Sequence, residues 1–163
     1  MGDRYAKVIQ GLEHHDVRDV EQLYRVLRTQ VDVVLPDGVA VLNADDARVV
    51  EMAELCDGDV IFYGRDPASP VLERHRAAGQ RTVSIAEDGA LVLAEGTRKS
   101  YRVRLDAPVV QRLAQSLGEH TLMAVAAAAW ALAVSPELMA AGIETSGVDA
   151  MPTAPAATVD AAR

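Results

Sequence analysis

The sequence predicts an α/β fold: a three-layer-like, mostly parallel sheet with flanking helices, followed by an antiparallel β meander. Two observations lead to this prediction. Between residues 19 and 85, short apolar runs of strand length alternate with helical patterns, and such alternation is typical of parallel crossovers. After that region, Asp88-Gly89 lies between the apolar runs 83–85 and 91–93, which is a strong hairpin signal.

The first clear helix starts near Asp19, because apolar residues then recur at spacings of three and four. Asp16 or Asp19 can cap its start, and Pro36 stops it. The apolar stripe consists of Val20, Leu23, Leu27, Val31 and Val34.

The parallel part of the sheet is predicted from three apolar runs. Pro36-Asp37-Gly38 is a turn signal, and the strand 39–43 and a helix over about 46–55 follow it. A second strand covers 60–63, and a short helix over 71–78 is closed by Gly79, a favoured residue just past a helix end. The third strand covers 81–85.

The second half of the chain predicts the meander and three helices. A turn at Glu95-Gly96 leads to an alternating run over 101–105, which completes the meander. Residues 107–117 have a helical pattern, and Gly118 breaks it. Residues 120–134 predict a helix that is apolar on every side and therefore buried or at an interface. Ser135-Pro136 begins a last helix, which runs to about Ala141, before Gly142.

The 163 residues divide into three parts. Residues 1–18 form an N-terminal segment whose pattern has no firm period. Residues 19–145 form the α/β domain. Residues 146–163 are a tail rich in Ala, Pro and Thr, and we expect this tail to be disordered.

Composition excludes several classes of partner. A net charge of −8 argues against nucleic acid and against anionic membrane surfaces, since both require clustered basic residues. Cys56 is the only cysteine, so no internal disulfide forms and a reducing compartment is expected. The N-terminus has no signal-peptide apolar core, and the longest apolar run is too short to span a bilayer. We therefore expect a soluble, cytoplasmic protein.

Polar residues at the end of the first strand are the candidate nucleotide or metal site. Asn43, Asp45 and Asp46 stand where a parallel strand ends, and ligands bind at that edge of open α/β sheets. The alternative, which we favour for at least one aspartate, is a helix N-cap. His120 and Thr121 are further candidates at a helix start, although a polar first-turn residue also explains His120. No metal site is assigned.

With these elements in order, the sequence resembles the Mur ligase family. The similarity covers residues 17–145, and its most specific parts are the NADD box at 43–46 and the alanine-rich helix at 124–143 with its single Trp130. Specifically, it resembles the second half of the ATP-binding central domain in the Mur-ligase-like region of cyanophycin synthetase. The resemblance thus implies a partial Mur ligase central domain.

The resemblance implies ATP-dependent chemistry that this chain lacks the residues to perform. Family members join an amino acid to a carboxylate through an acyl phosphate made from ATP. A phosphate loop of the form G-x-x-x-x-G-K-[ST] serves that reaction. No glycine in this chain is followed by lysine, and neither Lys7 nor Lys99 lies in a strand–glycine loop–helix context.

Other family residues are also replaced. The Asp-His pair associated with the family's metal site aligns with Gln10 and Gly11. The asparagines that read adenine in Gly-x-His-Asn-x-x-Asn align with Thr121 and Ala124. We also expect no counterpart of the family's C-terminal domain, which delivers the amino acid.

We therefore expect a shortened, Mur-ligase-like protein that is non-catalytic alone and acts by self-association or by binding a ligase or other partner chain. A sheet without the strands that normally precede its first helix has an exposed edge, which is a liability unless covered. The interface candidates are Leu122, Val125, Trp130 and Leu132. The alternative is a component of an ATP-dependent carboxylate–amine ligase whose phosphate loop comes from another chain. ATP and magnesium then bind only in that complex. A gene remnant without activity is a third possibility.

Overall fold

The computed structural model describes residues 3–97, 99–103, 115 and 117–145. A mixed five-stranded sheet lies at the centre of the fold. The strands are β1 (Val39–Asn43), β2 (Asp59–Tyr63), β3 (Arg81–Ile85), β4 (Leu91–Glu95) and β5 (Lys99–Val103). They lie in the order β1-β2-β3-β4-β5. The first three are parallel, and β4 and β5 continue the sheet antiparallel. This confirms the α/β fold with an added meander.

Six α-helices surround the sheet in the described residues. They are α1 (Asp3–Leu12), α2 (Val20–Asp32), α3 (Ala47–Glu51), α4 (Pro70–Ala77), α5 (Glu119–Ala131) and α6 (Pro136–Thr145). Short 3-10 turns follow α1 at Glu13–His15 and α3 at Met52–Leu55. Each helix in the described part of the chain is too short or too polar to cross a membrane.

Helix caps form where the sequence predicts them. The side chain of Asp19 accepts the backbone N–H of Gln22 at 2.7 Å and starts α2. Ser135 Oγ accepts the N–H of Leu138 at 3.2 Å and starts α6. These side chains satisfy N–H groups that have no partner within their helix.

Two apolar clusters, one on each face of the sheet, make the fold three-layered. On one face, α5 and α6 pack through Met123, Ala127 and neighbouring residues onto strand residues that include Ile61 and Val83. On the opposite face, Leu42 and Phe62 contact residues of α2, α4 and the turn after α3. Successive strand residues point to opposite faces, so Ile61 and Phe62 serve different clusters.

The structure differs from the sequence prediction at three helices. A helix, α1, lies in the N-terminal segment, where the sequence shows no firm period. α2 ends at Asp32, before Pro36 is reached. α6 runs through Gly142 to Thr145, whose hydroxyl donates to the carbonyl of Ala141 at 2.8 Å. The predicted helix over 107–117, apart from residues 115 and 117, and the predicted disordered tail lie outside the described residues.

Candidate functional site

The carboxyl ends of β1, β2 and β3 meet at one edge of the sheet. Beyond the strand ends, the N–H of Ala44 donates to the carbonyl of Tyr63 at 2.7 Å. The N–H of Gly64 likewise donates to the carbonyl of Val83 at 3.0 Å. These bonds extend the parallel ladder by one residue and fix the loops that follow. The candidate residues after β1 are therefore held on a rigid frame.

Asp45 joins three parts of the fold at this edge. Its Oδ2 atom lies 2.8 Å from Nε2 of His120 at the start of α5. The same oxygen accepts the backbone N–H of Arg65, after β2, at 3.1 Å. The side chains of Asp45 and His120 are 26% and 22% exposed, respectively. Asp45 and His120, both candidates from sequence, thus form one contact although 75 positions separate them.

Asn43 shapes the turn that presents Asp45. Its Oδ1 atom accepts the backbone N–H of Asp45 at 2.9 Å, the pattern by which asparagine stabilises a turn with its own side chain. Gly64 also fits closely here, because a Cβ atom on it would lie 3.0 Å from Oδ1 of Asp45. The turn and the glycine together determine where the Asp45 carboxylate lies.

Asp46 is the predicted helix cap. Its Oδ1 atom accepts the backbone N–H of Arg48 at 3.0 Å and starts α3. Its Oδ2 atom accepts the hydroxyl of Tyr5 from α1. The first helix therefore reaches the strand-end site. Tyr5 was not predicted as a site residue, since α1 was not predicted and nothing local links Tyr5 to Asp46.

Three further residues at this edge were not predicted from sequence. Nε of Arg65 lies 3.0 Å from Oε2 of Glu119. The ring of Tyr63 lies edge-on to the ring of His120, with the ring centres 6.4 Å apart. Arg65 closely follows a predicted strand, so the strand-end rule that selected Asp45 would also have selected it. Thr121, the remaining candidate, is exposed in the first turn of α5.

A cleft of about 490 Å³ lies beside this network. Its lining includes one basic residue, Arg65, and three acidic residues, Asp66, Glu87 and Glu119. Because like charges repel, such a lining is unfavourable for a polyphosphate. Among the described residues, no group of three or more His, Cys, Asp and Glu side chains is arranged to hold a metal ion.

The candidate interface residues have different environments. Leu122 is only 3% exposed and lies in the core, so it is a core residue of the chain rather than a surface available to a partner. Val125 and Leu132 are 56% and 80% exposed. Trp130 is half-buried, and the guanidinium of Arg81 lies over its ring at 5.6 Å. The helix is thus buried on one face and exposes apolar side chains on another.

Sequence comparisons relate the chain to one group of enzymes. Cyanophycin synthetase from Crocosphaera subtropica is 37% identical over 82 residues, which are 50% of this chain and 9% of that protein. The enzyme from Synechocystis sp. is 35% identical over 83 residues, 50% of this chain and 9% of that protein. The enzyme from Geminocystis herdmanii is 27% identical over 135 residues, 80% of this chain and 15% of that protein. No family model matches.

The chain thus contains a Mur-ligase-like, cyanophycin-synthetase-like region. The matched segments span only 9% to 15% of the length of these relatives. The five-stranded α/β fold is consistent with a Mur ligase domain.

Proposed function

We propose that this chain is non-catalytic on its own and acts by self-association or by binding another chain, as a cyanophycin-synthetase-like domain. The observation that carries the proposal is the absence of a phosphate loop from its sequence, because no glycine is followed by lysine. Phosphoryl transfer depends almost entirely on positioning and charge stabilisation around the phosphates. A chain without that loop lacks the main part of the machinery.

The geometry of the strand-end site supports the same conclusion. The Asp45 carboxylate is bonded to His120 and to the N–H of Arg65. The Asp46 carboxylate is bonded to the N–H of Arg48 and to Tyr5. Both carboxylates are engaged by donors of the chain itself, and they connect strands to helices. We infer that in the isolated chain their role is structural.

Isothermal titration calorimetry of the purified chain with ATP and excess Mg²⁺ tests the proposal. We expect no saturable heat at millimolar ATP, with an active ATP-dependent ligase measured in parallel as the positive control. Saturable binding with a micromolar dissociation constant would refute the non-catalytic assignment.

The association part of the proposal requires a separate measurement. Size-exclusion chromatography with light scattering is expected to give a mass above that of the 17.4 kDa chain, or a stable complex after mixing with a co-purified protein. A monomer at every concentration, with no protein co-purifying from the native cell, would refute it.

A second function is favoured by where the candidate residues meet. Asn43, Asp45 and His120 lie together at the carboxyl ends of parallel strands, which is the ligand edge of such sheets. The alternative is therefore a component of an ATP-dependent carboxylate–amine ligase whose phosphate loop comes from another chain. This predicts ATP hydrolysis that requires both purified chains and Mg²⁺. Equal hydrolysis by the second chain alone would exclude it.

We further propose that the protein is cytoplasmic. Cys56 is a free thiol, with no second cysteine in the sequence, and unpaired structural thiols persist in reducing compartments. Cell fractionation tests this, and recovery in a membrane or periplasmic fraction would contradict it.

A further inference from the structure

Among the described residues, strand β1 is an edge of the sheet, and its hydrogen-bonding pattern identifies which backbone groups lie outward. The carbonyl of Gly38 accepts the N–H of Asp59 at 3.0 Å, and the N–H of Ala44 donates to Tyr63 at 2.7 Å. The N–H and C=O groups of successive residues point to opposite sides of a strand. Since Gly38 and Ala44, which bond to β2, both have even numbers, the backbone groups of Ala40 and Leu42 also point toward β2. The backbone groups of the odd-numbered residues therefore point away from β2.

The outward groups of Val39 and Val41 have no hydrogen-bond partner among the described residues. Asn43 is also odd-numbered, but its carbonyl accepts the N–H of Asp46 at 3.4 Å. With the N–H of Asn43, this leaves three N–H and two C=O groups, alternating along the edge. Such a row is a template for another strand.

The two edges of the sheet differ in how they resist pairing. β5 contains Lys99 and Arg102, and Arg102 makes a bidentate contact with Asp88 at 2.7 and 2.8 Å. β1, with the sequence VAVLN, contains no charged residue and no proline. Natural proteins usually protect an exposed edge with charge, proline or a bulge. In this chain the protected edge is β5.

We propose that β1 pairs antiparallel with β1 of a second copy of this chain, which joins two sheets into one ten-stranded sheet. This rests on the proposed function, because it names the partner and the surface for self-association. A two-fold axis makes identical edges antiparallel, so the strand supplies its own complement. An uncharged edge also lets two copies approach although each carries a net charge of −8.

The charges beside β1 select the register. If Val39 pairs with Val41 of the second copy, the outward N–H and C=O groups of Val39 and Val41 are bonded in each copy. Asp37 then lies opposite Asn43 of the second copy. If Val41 instead pairs with its own counterpart, Asp37 approaches Asp45 of the second copy, and facing like charges are destabilising. Of these two registers, we therefore infer the first.

Residue-resolved amide hydrogen exchange by NMR tests this pairing directly. The full chain is measured at two protein concentrations about fifty-fold apart, because dimerisation follows mass action. We expect the amides of Val39 and Val41 to exchange about fivefold faster in the dilute sample, because the monomer fraction of a dimer rises at most with the square root of the dilution. The amides of Ala40 and Leu42 are bonded to β2 and should be protected in both samples.

A proline variant tests the same edge through mass. Val41→Pro removes an N–H that points outward and keeps the ladder to β2, and proline is tolerated at such edge positions. We expect V41P to be monomeric by light scattering and to retain cooperative unfolding. Leu132→Arg places a charge on an exposed apolar residue just after α5 and should remain dimeric. Val39→Pro is the second variant if V41P does not fold.

Four results would overturn the proposal. The first is a wild-type chain that is monomeric at high concentration, and the second is a V41P or V39P variant that folds and remains dimeric. The third is dissociation of the dimer by L132R and not by V41P, and the fourth is protection of the Val39 and Val41 amides from exchange at every dilution. The last would mean that another segment of the same chain covers the edge. Added salt should tighten the dimer, since it screens repulsion between two negative copies. ATP titration of the monomeric variant tests the non-catalytic assignment independently, so failure of the pairing is distinguishable from failure of the proposed function.

Discussion

Replacing Asp45 with asparagine tests whether the strand-end carboxylate is a structural tie. The change keeps the size of the side chain and removes its charge. It weakens the contact with Nε2 of His120 at 2.8 Å and the contact with the N–H of Arg65 at 3.1 Å. These bonds connect the end of β1 to α5 and to the loop after β2, so all three elements should become less firmly joined.

The expected cost follows from the type and exposure of these bonds. A hydrogen bond to a charged group contributes about 1.5–3 kcal/mol when buried. Asp45 and His120 are each about one-quarter exposed, so solvent screening reduces this contribution. We expect a loss of about 1–2 kcal/mol in the free energy of unfolding. For a chain of this size that lowers the melting temperature by about 2–8 °C.

Urea denaturation and thermal melting of D45N, His120→Gln and the double variant measure this effect. Asp57→Asn is the matched control, because Asp57 is an exposed residue after the 3-10 turn that follows α3. A double-mutant cycle should give a coupling energy of about 0.5–1 kcal/mol between Asp45 and His120. If D45N is as stable as D57N, or if the coupling is zero, the structural role of this contact is refuted.

Three further predictions concern the packing and the pH dependence of the fold. Leu72→Ala should lower the free energy of unfolding, measured by urea denaturation, by about 2–5 kcal/mol, because Leu72 is fully buried between α4 and the sheet. A decrease of less than about 1 kcal/mol would contradict its core position. Gly58→Ala should prevent stable folding, since its Cβ atom would lie 2.4 Å from the carbonyl oxygens of Gly38 and Leu35, and a wild-type melting curve would show that these backbones separate easily. Burial lowers the pKa of His75 below its ordinary 6.5 and outweighs the hydrogen bond to Val60, which raises it. Neutral His75 therefore contributes fully to the free energy of unfolding above pH 6.5, and this contribution decreases as the pH falls below 6.5. His75→Gln should therefore flatten the fall in stability between about pH 7.5 and pH 5.5, and an unchanged slope would contradict this.

Local sequence signals predicted most of the elements correctly. Asp19, Asp46 and Ser135 are helix caps because short acceptors satisfy nearby N–H groups. Asp88-Gly89 forms the hairpin turn, and Gly89 has the positive φ of 78° that such a turn requires. In each case the energetic reason lies within a few residues, so the sequence alone contains it.

Features set by tertiary packing were not predictable in the same way. Helix α1 is held partly by Tyr5, whose partner Asp46 lies 41 positions away, and its own pattern shows no firm period. Gly142 does not end α6, since glycine in a helix costs only about 1 kcal/mol and packing can exceed this. Leu122 was expected at an interface, but only the three-dimensional structure shows which face of an all-apolar helix meets the sheet.

The candidate site was predicted as a set of residues and not as a network. Asn43, Asp45 and Asp46 follow from the strand-end rule, and His120 follows from its place at a predicted helix start. Their contacts with each other and with Arg65 depend on how α5 packs across β1 to β3, which no local pattern determines. The same packing turns Asp45 toward His120.

We infer that this chain alone does not bind a nucleoside triphosphate at its strand-end site. Titration of the isotope-labelled chain with a magnesium complex of a non-hydrolysable ATP analogue, followed by NMR, tests the claim residue by residue. We predict no saturable shift of the amides of residues 43–46 and 119–121 at millimolar analogue. Saturable shifts confined to those residues would contradict the claim.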